Sequence, residues 1–265
     1  MGKQRIPAVL SIAGSDSGGG AGIQADLKAF ARCGVHGMTA ITAITAQNTV
    51  GVEAVEAVSP AAIVAQVSAV AADIGVDAVK VGMLGTAETV AAVLASLSAV
   101  GAAPVVVDPV MVAESGAVLL DDEARRALVE DLLPLAAVVT PNIPEARVLV
   151  GAGEGATQEE LARGVLELGV DAVIVTGGHS EGLVDLFFDG ERLVEIPGER
   201  HPDGASHGSG CTHSSALAAF LARGEEPLEA ARRAREVASA AVAAGLREIG
   251  AGPGPVDALG IRDRG

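Results

Sequence analysis

The sequence contains very few aromatic residues and lysines. Tryptophan and tyrosine are absent and phenylalanine occurs four times, so the hydrophobic core must be built from Ala, Val, Leu and Ile. Lysine is found at positions 3, 28 and 80 alone, and the formal net charge is -16. Such a surface repels nucleic acids and anionic membranes, which argues against both as partners. An anionic substrate would have to be bound by glycine turns, helix N-termini and a divalent cation.

Cysteine is equally scarce. Cys33 and Cys211 cannot form a disulfide framework, and the N-terminus lacks the basic and long apolar regions of a secretory signal. Apolar runs end well short of the ~18 residues that span a bilayer. We therefore expect a cytoplasmic protein. No linker, composition shift or repeat divides the 265 residues, so we expect one domain over residues 1–265, with its core at about 7–250 and a short Gly/Pro tail.

Short apolar runs alternate with segments of helical periodicity along the chain. Strands are predicted at residues 7–13, 38–46, 77–84, 104–107, 136–140 and 171–176. A helix follows each of the first five, and the one after the fourth strand is predicted at 122–133. Residues 183–196 depart from the alternation, because two apolar runs joined by Asp189 and Gly190 are typical of a hairpin. Two Ala-rich helices, at 211–223 and 227–246, complete the chain. The pattern predicts an α/β fold with a mostly parallel central sheet, helices on both faces and a late β-hairpin.

Residues 207–213, HGSGCTH, directly precede an apolar helical run. Gly208 and Gly210 allow a tight turn, and the N–H groups at the start of the helix favour an anion such as phosphate. At this position Cys211 is expected to have a lowered pKa. Three alternatives stay open: an ordinary connection, a cysteine hydrolase, or a metal site. The ligands of that metal site would be His201, His207, Cys211 and His213, whose spacing fits no paired zinc pattern.

Other polar residues also follow predicted strands, at the sheet edge where ligands bind. The glycine-rich residues 15–22 lie between a strand and a helix, and Gln47 ends the next apolar run. Asp108 comes directly after a buried strand, where a carboxylate needs a partner, so a substrate or cation role is favoured. Asn142 and Glu145 open a helix and could face one ion or bound waters, or could form a capping box without any ligand.

Seven blocks in order carry a resemblance to a known family. The chain resembles the hydroxymethylpyrimidine kinase / phosphomethylpyrimidine kinase family, bifunctional enzymes of thiamine biosynthesis in the ribokinase-like superfamily. The blocks are AGSDSGGGAGIQADLK (13–28), AQNT (46–49), KVGM (80–83), VDPVM (107–111), TPNIPE (140–145), GGH (177–179) and GSGCT (208–212). The resemblance implies ATP-dependent phosphorylation of 4-amino-5-hydroxymethyl-2-methylpyrimidine to its monophosphate and then to the diphosphate.

The resemblance also implies roles for individual residues and a homodimer. Cys211 would be the proton acceptor, and Gly208, Ser209 and Gly210 would form with it an anion hole. Mg²⁺ would be held by Asp108 and Glu145, partly through water. The pyrimidine pocket would be lined by Gly14, Ala21, Gln47, Met83 and Val110, with Gln47 hydrogen-bonded to the ring edge. Asp26 would lie near the same pocket as a further substrate-binding residue. The ATP phosphates would lie near Asn142, Glu145, Thr176 and Gly178.

The sequence departs from the family pattern at Thr176, where a lysine that reaches the ATP phosphates is frequent. An arginine or a second cation would have to substitute for it. Ser209, where threonine is frequent, and His213 are smaller departures that we expect to be tolerated. Two alternative functions stay open: a pyridoxal kinase of the same superfamily, and a non-catalytic pyrimidine sensor, which the missing lysine alone supports.

Overall fold

The computed structural model describes residues 5–112, 116, 119–178 and 183–262, and His179 of the GGH block lies outside them. Its strands are β1 (Ala8–Ala13), β2 (His36–Ile41), β3 (Ala43–Asn48), β4 (Gly51–Ala57), β5 (Ala78–Val81), β6 (Val105–Val107), β7 (Val138–Val139), β8 (Val173–Val175), β9 (Asp185–Phe188) and β10 (Leu193–Ile196). Its helices are α1 (Gly22–Arg32), α2 (Pro60–Asp73), α3 (Ala87–Leu97), α4 (Asp122–Ala127), α5 (Ile143–Val150), α6 (Gln158–Leu166), α7 (Ser209–Ala222) and α8 (Pro227–Ala243). Among these, no helix combines the length and apolar character needed to cross a bilayer.

Eight strands form one sheet in the order β10-β9-β8-β7-β6-β5-β1-β2. The neighbouring strands β8, β7, β6, β5, β1 and β2 pair in parallel in that order. Strand β9 is antiparallel to both β8 and β10. The predicted α/β class and the late hairpin are therefore confirmed. Gly190 has a φ of +89°, which suits the tight connection from β9 to β10.

Successive strand residues point to opposite faces of the sheet, and each face has its own hydrophobic cluster. Leu10 and Ile12 of β1 pack in the cluster that α2 to α6 cover. Val9, which directly precedes Leu10, packs instead with Phe30 of α1 and Leu217 of α7. The purely apolar strands are thus buried on both sides, as expected for a parallel sheet.

The predicted strand 38–46 is wrong in its extent. The chain leaves the main sheet at Thr42, whose N–H donates to the Ala13 carbonyl (3.0 Å) and whose hydroxyl donates to the Met83 carbonyl (2.8 Å). Beyond Thr42, β3 pairs with β4 in a separate antiparallel hairpin that the sequence reasoning missed. No glycine or proline marks position 42, and the break is fixed by hydrogen bonds to segments distant in sequence.

The helix predicted at 122–133 is also shorter than expected. Regular α-helix ends at Ala127, and a π-helical turn at Leu128–Leu132 and a 3-10 turn at Leu133–Leu135 follow. Pro134 has no N–H to donate and disfavours a continued α-helix. After these two turns the chain enters β7.

Candidate active site

A cavity of about 400 Å³ lies at the carboxyl ends of the parallel strands. Residues that follow β1, β5, β6, β7 and β8 all reach it, as the sheet topology requires. Thirteen of the residues singled out from the sequence line this cavity: Gly14, Ala21, Gln47, Met83, Asp108, Val110, Asn142, Glu145, Thr176, Gly208, Ser209, Gly210 and Cys211. One cavity therefore collects residues almost 200 positions apart.

Asp26 and Gly178 are not among the lining residues, so Asp26 lies near the pocket but does not form part of its wall. Asp26 is wholly buried and lies behind the cavity. Its carboxylate accepts hydrogen bonds from the Ser11 hydroxyl (2.6 Å) and the Ser215 hydroxyl (2.7 Å), and from Lys80 Nζ (3.0 Å). The reason is helical geometry: α1 presents Asp26 to α7 and the sheet, not to the space beyond the strand ends.

The glycine-rich loop is organised around Asp16, which lines the cavity and which sequence reasoning missed. Its carboxylate accepts hydrogen bonds from the N–H groups of Gly18 (2.8 Å), Gly20 (3.0 Å) and Ala21 (2.8 Å), and lies 3.1 Å from His207 Nε2. Burial raises the pKa of Asp16, but the bonds from His207 and the loop amides outweigh it and hold the pKa below its usual value. The signal in the sequence was an aspartate two residues before three glycines.

The two glycine motifs touch each other. Gly208 has a φ of +83°, and a Cβ there would overlap the carbonyl oxygen of Gly20. A Cβ on Gly20 would in turn overlap the ring of His207. Both positions therefore require glycine for a close approach between the loops, in addition to any ligand contact.

Helix α7 begins at the cavity wall. Its N-cap is Gly208, and no side chain caps it. Ser209, Gly210 and Cys211 occupy the first turn and line the cavity. N–H groups in the first turn of a helix have no intrahelical acceptor. The Ser209 N–H donates to the Ser206 carbonyl (2.9 Å), so the N–H groups of Gly210 and Cys211 are the candidate donors to an anion.

The expected low pKa of Cys211 is wrong. Burial raises the pKa of its thiol to about 12; Lys80 and the Gly22 N–H lower it, whereas Asp108 and Asp26 raise it. The helix N-terminus stabilises a thiolate, but the half-buried position of the thiol and two nearby carboxylates oppose it. The resting side chain is thus a neutral thiol.

Asp108 and Glu145 form an acidic pair at the cavity wall. Asp108 accepts a hydrogen bond from the Ser214 hydroxyl (2.9 Å) and lies 3.7 Å from Lys80 Nζ; burial raises its pKa although Lys80 opposes the shift. Burial, with the charge of Asp108, raises the pKa of Glu145 to about 8. A divalent cation would relieve this repulsion, and carboxylate oxygens are donors that Mg²⁺ prefers.

Asn142 and Glu145 do form the capping box that was one of the two interpretations. Asn142 Oδ1 accepts the Glu145 N–H (2.8 Å), and a Glu145 carboxylate oxygen accepts the Asn142 N–H (2.9 Å). Both residues also line the cavity, so capping and ligand contact are compatible. Within the described ranges, no group of three or more His, Cys, Asp and Glu side chains could hold a metal by itself. His201, one of the possible zinc ligands, instead pairs with Ser239 (2.8 Å).

Cations are few at the cavity. Among the described lining residues there is no arginine, and the basic side chains are Lys80, His207 and His213. Thr176, which stands where a lysine was expected, donates its N–H to the Pro141 carbonyl (2.8 Å). Lys80 is wholly buried; burial alone would lower its pKa, but the Asp26 carboxylate, Cys211 and Asp108 raise it, so the ammonium stays charged. Sequence reasoning gave no role to Lys80.

A model of the phosphomethylpyrimidine kinase family matches residues 16–257 of the chain. The hydroxymethylpyrimidine/phosphomethylpyrimidine kinase of Rhizobium meliloti is 53% identical over 253 residues, which cover 93% of this chain and 95% of the relative. The pyridoxine kinase of Bacillus subtilis is 41% identical over 241 residues, 88% of this chain and 89% of the relative. The pyridoxal kinase of Staphylococcus aureus, solved with ADP, superposes with a TM-score of 0.88 at 35% identity, covering 97% of this chain and 94% of that one.

Proposed function

Because the chain belongs to the phosphomethylpyrimidine kinase family, we propose that it phosphorylates 4-amino-5-hydroxymethyl-2-methylpyrimidine with ATP, and then converts the monophosphate to the diphosphate. This places it in thiamine biosynthesis as a single kinase domain. The observation that carries the proposal is the shared cavity: Gln47 and Met83 line the same 400 Å³ space as the uncapped start of α7. That volume suits a small ligand, for which pockets of roughly 300–1,000 Å³ are typical.

We assign the pyrimidine to the part of the cavity lined by Gly14, Ala21, Gln47, Met83 and Val110. Gln47 offers an amide that can donate and accept in one plane, which matches the edge of an aminopyrimidine. Thr45 donates to Gln47 Oε1 (3.3 Å), which orients the amide. Met83 and Val110 supply the apolar contacts for the ring.

The phosphoryl group is assigned to the turn of Gly208, Ser209, Gly210 and Cys211. Phosphoryl transfer requires little covalent chemistry from the protein, so positioning and neutralisation of charge dominate. The first-turn N–H groups of α7 supply both without a basic side chain. Cys211 is the candidate acceptor for the hydroxyl proton only after its thiol has lost a proton to the solvent, and Lys80 is the cation that stabilises this thiolate.

Asp108 and Glu145 would hold Mg²⁺, partly through water, and Thr176 and Gly178 would lie near the ATP phosphates. When bound, the cation neutralises phosphate charge. Without the cation, the raised pKa of Glu145 keeps that side chain protonated near neutral pH. The neutral carboxyl group then repels Asp108 less than a carboxylate would. A Cβ on Gly178 would meet no atom of the described residues within 4 Å.

The similarity to a pyridoxine kinase and a pyridoxal kinase favours pyridoxal as a second candidate substrate. Mass spectrometry of the protein with ATP, Mg²⁺ and equimolar hydroxymethylpyrimidine and pyridoxal distinguishes the two. We expect mono- and diphosphorylated pyrimidine. Phosphorylated pyridoxal alone would assign the chain to the second function, and no phosphorylation of either would favour the pyrimidine sensor.

We also propose that the protein forms a homodimer and is located in the cytoplasm. The early strands offer a surface for the dimer, since Ile44 and Val55 of the β3–β4 hairpin are about half exposed, at 55% and 49%. Light scattering after size exclusion should give twice the 26.2 kDa of one chain. Ile44→Lys is expected to shift that mass towards the monomer.

A further inference from the structure

His213 is a buried histidine in α7 that none of the contacts above explains. Only 4% of its surface is exposed, and neither ring nitrogen has a hydrogen-bond partner among the residues that the structure describes. Unpaired polar atoms of this kind are costly in a protein interior and are rare without a function. The residue nevertheless lines the cavity, four positions after Ser209 and therefore on the same side of the helix as the proposed anion turn.

An acidic residue stands behind the ring. His213 Nε2 lies 3.7 Å from one oxygen of Asp185, which is wholly buried in β9 and has no hydrogen-bond partner at that oxygen. The other oxygen of Asp185 accepts the Gly177 N–H (2.9 Å) and lies 3.4 Å from Arg235. Asp185 thus connects His213 to the loop after β8, next to Thr176.

The other basic groups at the cavity are already paired. Lys80 is neutralised by Asp26 and Asp108, and His207 lies against Asp16. In the described part of the cavity wall, His213 is therefore the basic side chain whose ring nitrogens are buried without a hydrogen-bond partner. For a polyphosphate entering beside the carboxylates of Asp16, Asp108 and Glu145, such a group would add to the neutralisation that the start of α7 and a divalent cation supply.

We propose that His213 binds a phosphate of the nucleotide as an imidazolium, donating from Nδ1 to a phosphate oxygen while Nε2–H is directed to Asp185. His213 is then a binding residue, and Asp185 is a positioning residue that fixes the ring. The inference deepens the proposed kinase function and rests on it. Proton balance is simple: the ring takes one proton from the buffer when the anion binds, and returns it when the anion leaves.

The charges around the ring set the direction of this change. Burial lowers the pKa of His213; Asp185 raises it, Arg235 lowers it and Asp108 raises it, so the ring is neutral at neutral pH in the free protein. A phosphate dianion beside Nδ1 adds a strong opposing effect and favours the imidazolium. Protonation is therefore coupled to nucleotide binding.

Isothermal titration calorimetry tests the coupling without any turnover. AMP-PCP and adenosine are titrated at pH 7.5 into the intact protein, His213→Gln and His213→Leu, in two buffers of different ionisation enthalpy. His201→Gln is the matched control, because His201 is paired with Ser239 and does not line the cavity. Because both His213 variants lose a hydrogen bond to a charged group, their affinity for AMP-PCP should be about tenfold weaker. Adenosine binding should not change.

The same titrations count protons. The unmodified protein and His201→Gln should take up more protons on binding AMP-PCP than His213→Gln, and Asp185→Asn should reduce this excess. Protons taken up or released by the ligand and by Glu145 contribute equally in every protein. They therefore cancel when the proton uptake of one protein is subtracted from that of another. Unchanged AMP-PCP affinity, equal loss for adenosine, or equal proton uptake in His213→Gln would overturn the inference. If the unmodified protein bound AMP-PCP but phosphorylated no pyrimidine, the proposed substrate would fail while the role of His213 stood.

Discussion

The ammonium of Lys80 lies 3.0 Å from a carboxylate oxygen of Asp26, and both side chains are wholly inaccessible to solvent. The pair occupies the space behind Cys211, between β5, α1 and α7. Gly82 makes room for it, since a Cβ at that position would come within 2.8 Å of Lys80 Nζ. A buried ion pair is costly to form and still more costly to break from one side.

Replacing Lys80 with methionine should therefore destabilise the protein. Asp26 would be left as a buried charge that only Ser11 and Ser215 solvate, at a cost of about 3–5 kcal/mol in the free energy of unfolding. Urea denaturation followed by circular dichroism measures the loss. Adding Asp26→Asn to Lys80→Met should restore part of it, and a single variant as stable as the unmodified protein would contradict this account.

Gly208→Ala should lower the free energy of unfolding by about 2 kcal/mol or more, from strain at positive φ and the clash with Gly20. Gly210→Ala is the matched control in the same turn, since a Cβ there meets no atom within 4 Å. Thermal unfolding of both variants gives the comparison. Equal effects on stability would show that the two glycine loops do not pack as described.

Metal-free protein should lose stability as pH rises, through Glu145. Its pKa is raised from 4.5 to about 8 in the folded protein, so the folded state binds more protons than the unfolded state between these values. The stability that Glu145 contributes is present below about pH 4.5 and is lost as pH rises through about 8. In Glu145→Gln, which can still accept the Asn142 N–H, this part of the pH dependence should disappear from urea titrations in EDTA.

The same substitution should raise the Mg²⁺ concentration needed for half-maximal phosphorylation. Because Mg²⁺ displaces the proton of Glu145, the requirement of the unmodified protein should also increase as pH falls below about 8. Magnesium titrations at pH 6.5 and 8.5 provide the measurement. An unaltered requirement in Glu145→Gln would reduce Glu145 to a helix cap.

Cys211→Ala should depress turnover in both phosphorylation steps while binding of the pyrimidine stays nearly intact. Since burial raises the pKa of the thiol to about 12, turnover of the unmodified protein at saturating Mg²⁺ should increase with pH over the accessible range. The variant should show a flatter profile. Equal turnover in the two proteins would remove Cys211 from the chemistry and leave the anion turn as the main contributor.

Local patterns in the sequence were sufficient for the order and class of the elements. The β-branched apolar run at residues 104–107 is typical of a buried strand, and Asp189 and Gly190 favour a hairpin; the structure has both. The carboxyl ends of parallel strands meet at one edge, so the positions of Asp108, Asn142 and Thr176 also followed from topology.

Tertiary structure decided what depends on partners distant in the chain. Asp16 and His207 meet across 191 positions, Asp26 faces Lys80 instead of the cavity, and Thr42 directs the chain into an unexpected hairpin. The ionisation of Cys211, Glu145 and His213 belongs here too. Local sequence specifies the backbone propensity of each segment and the nearest helix terminus. The pKa values and the hydrogen-bond and ion-pair partners depend instead on burial and on charges that only the folded chain brings together.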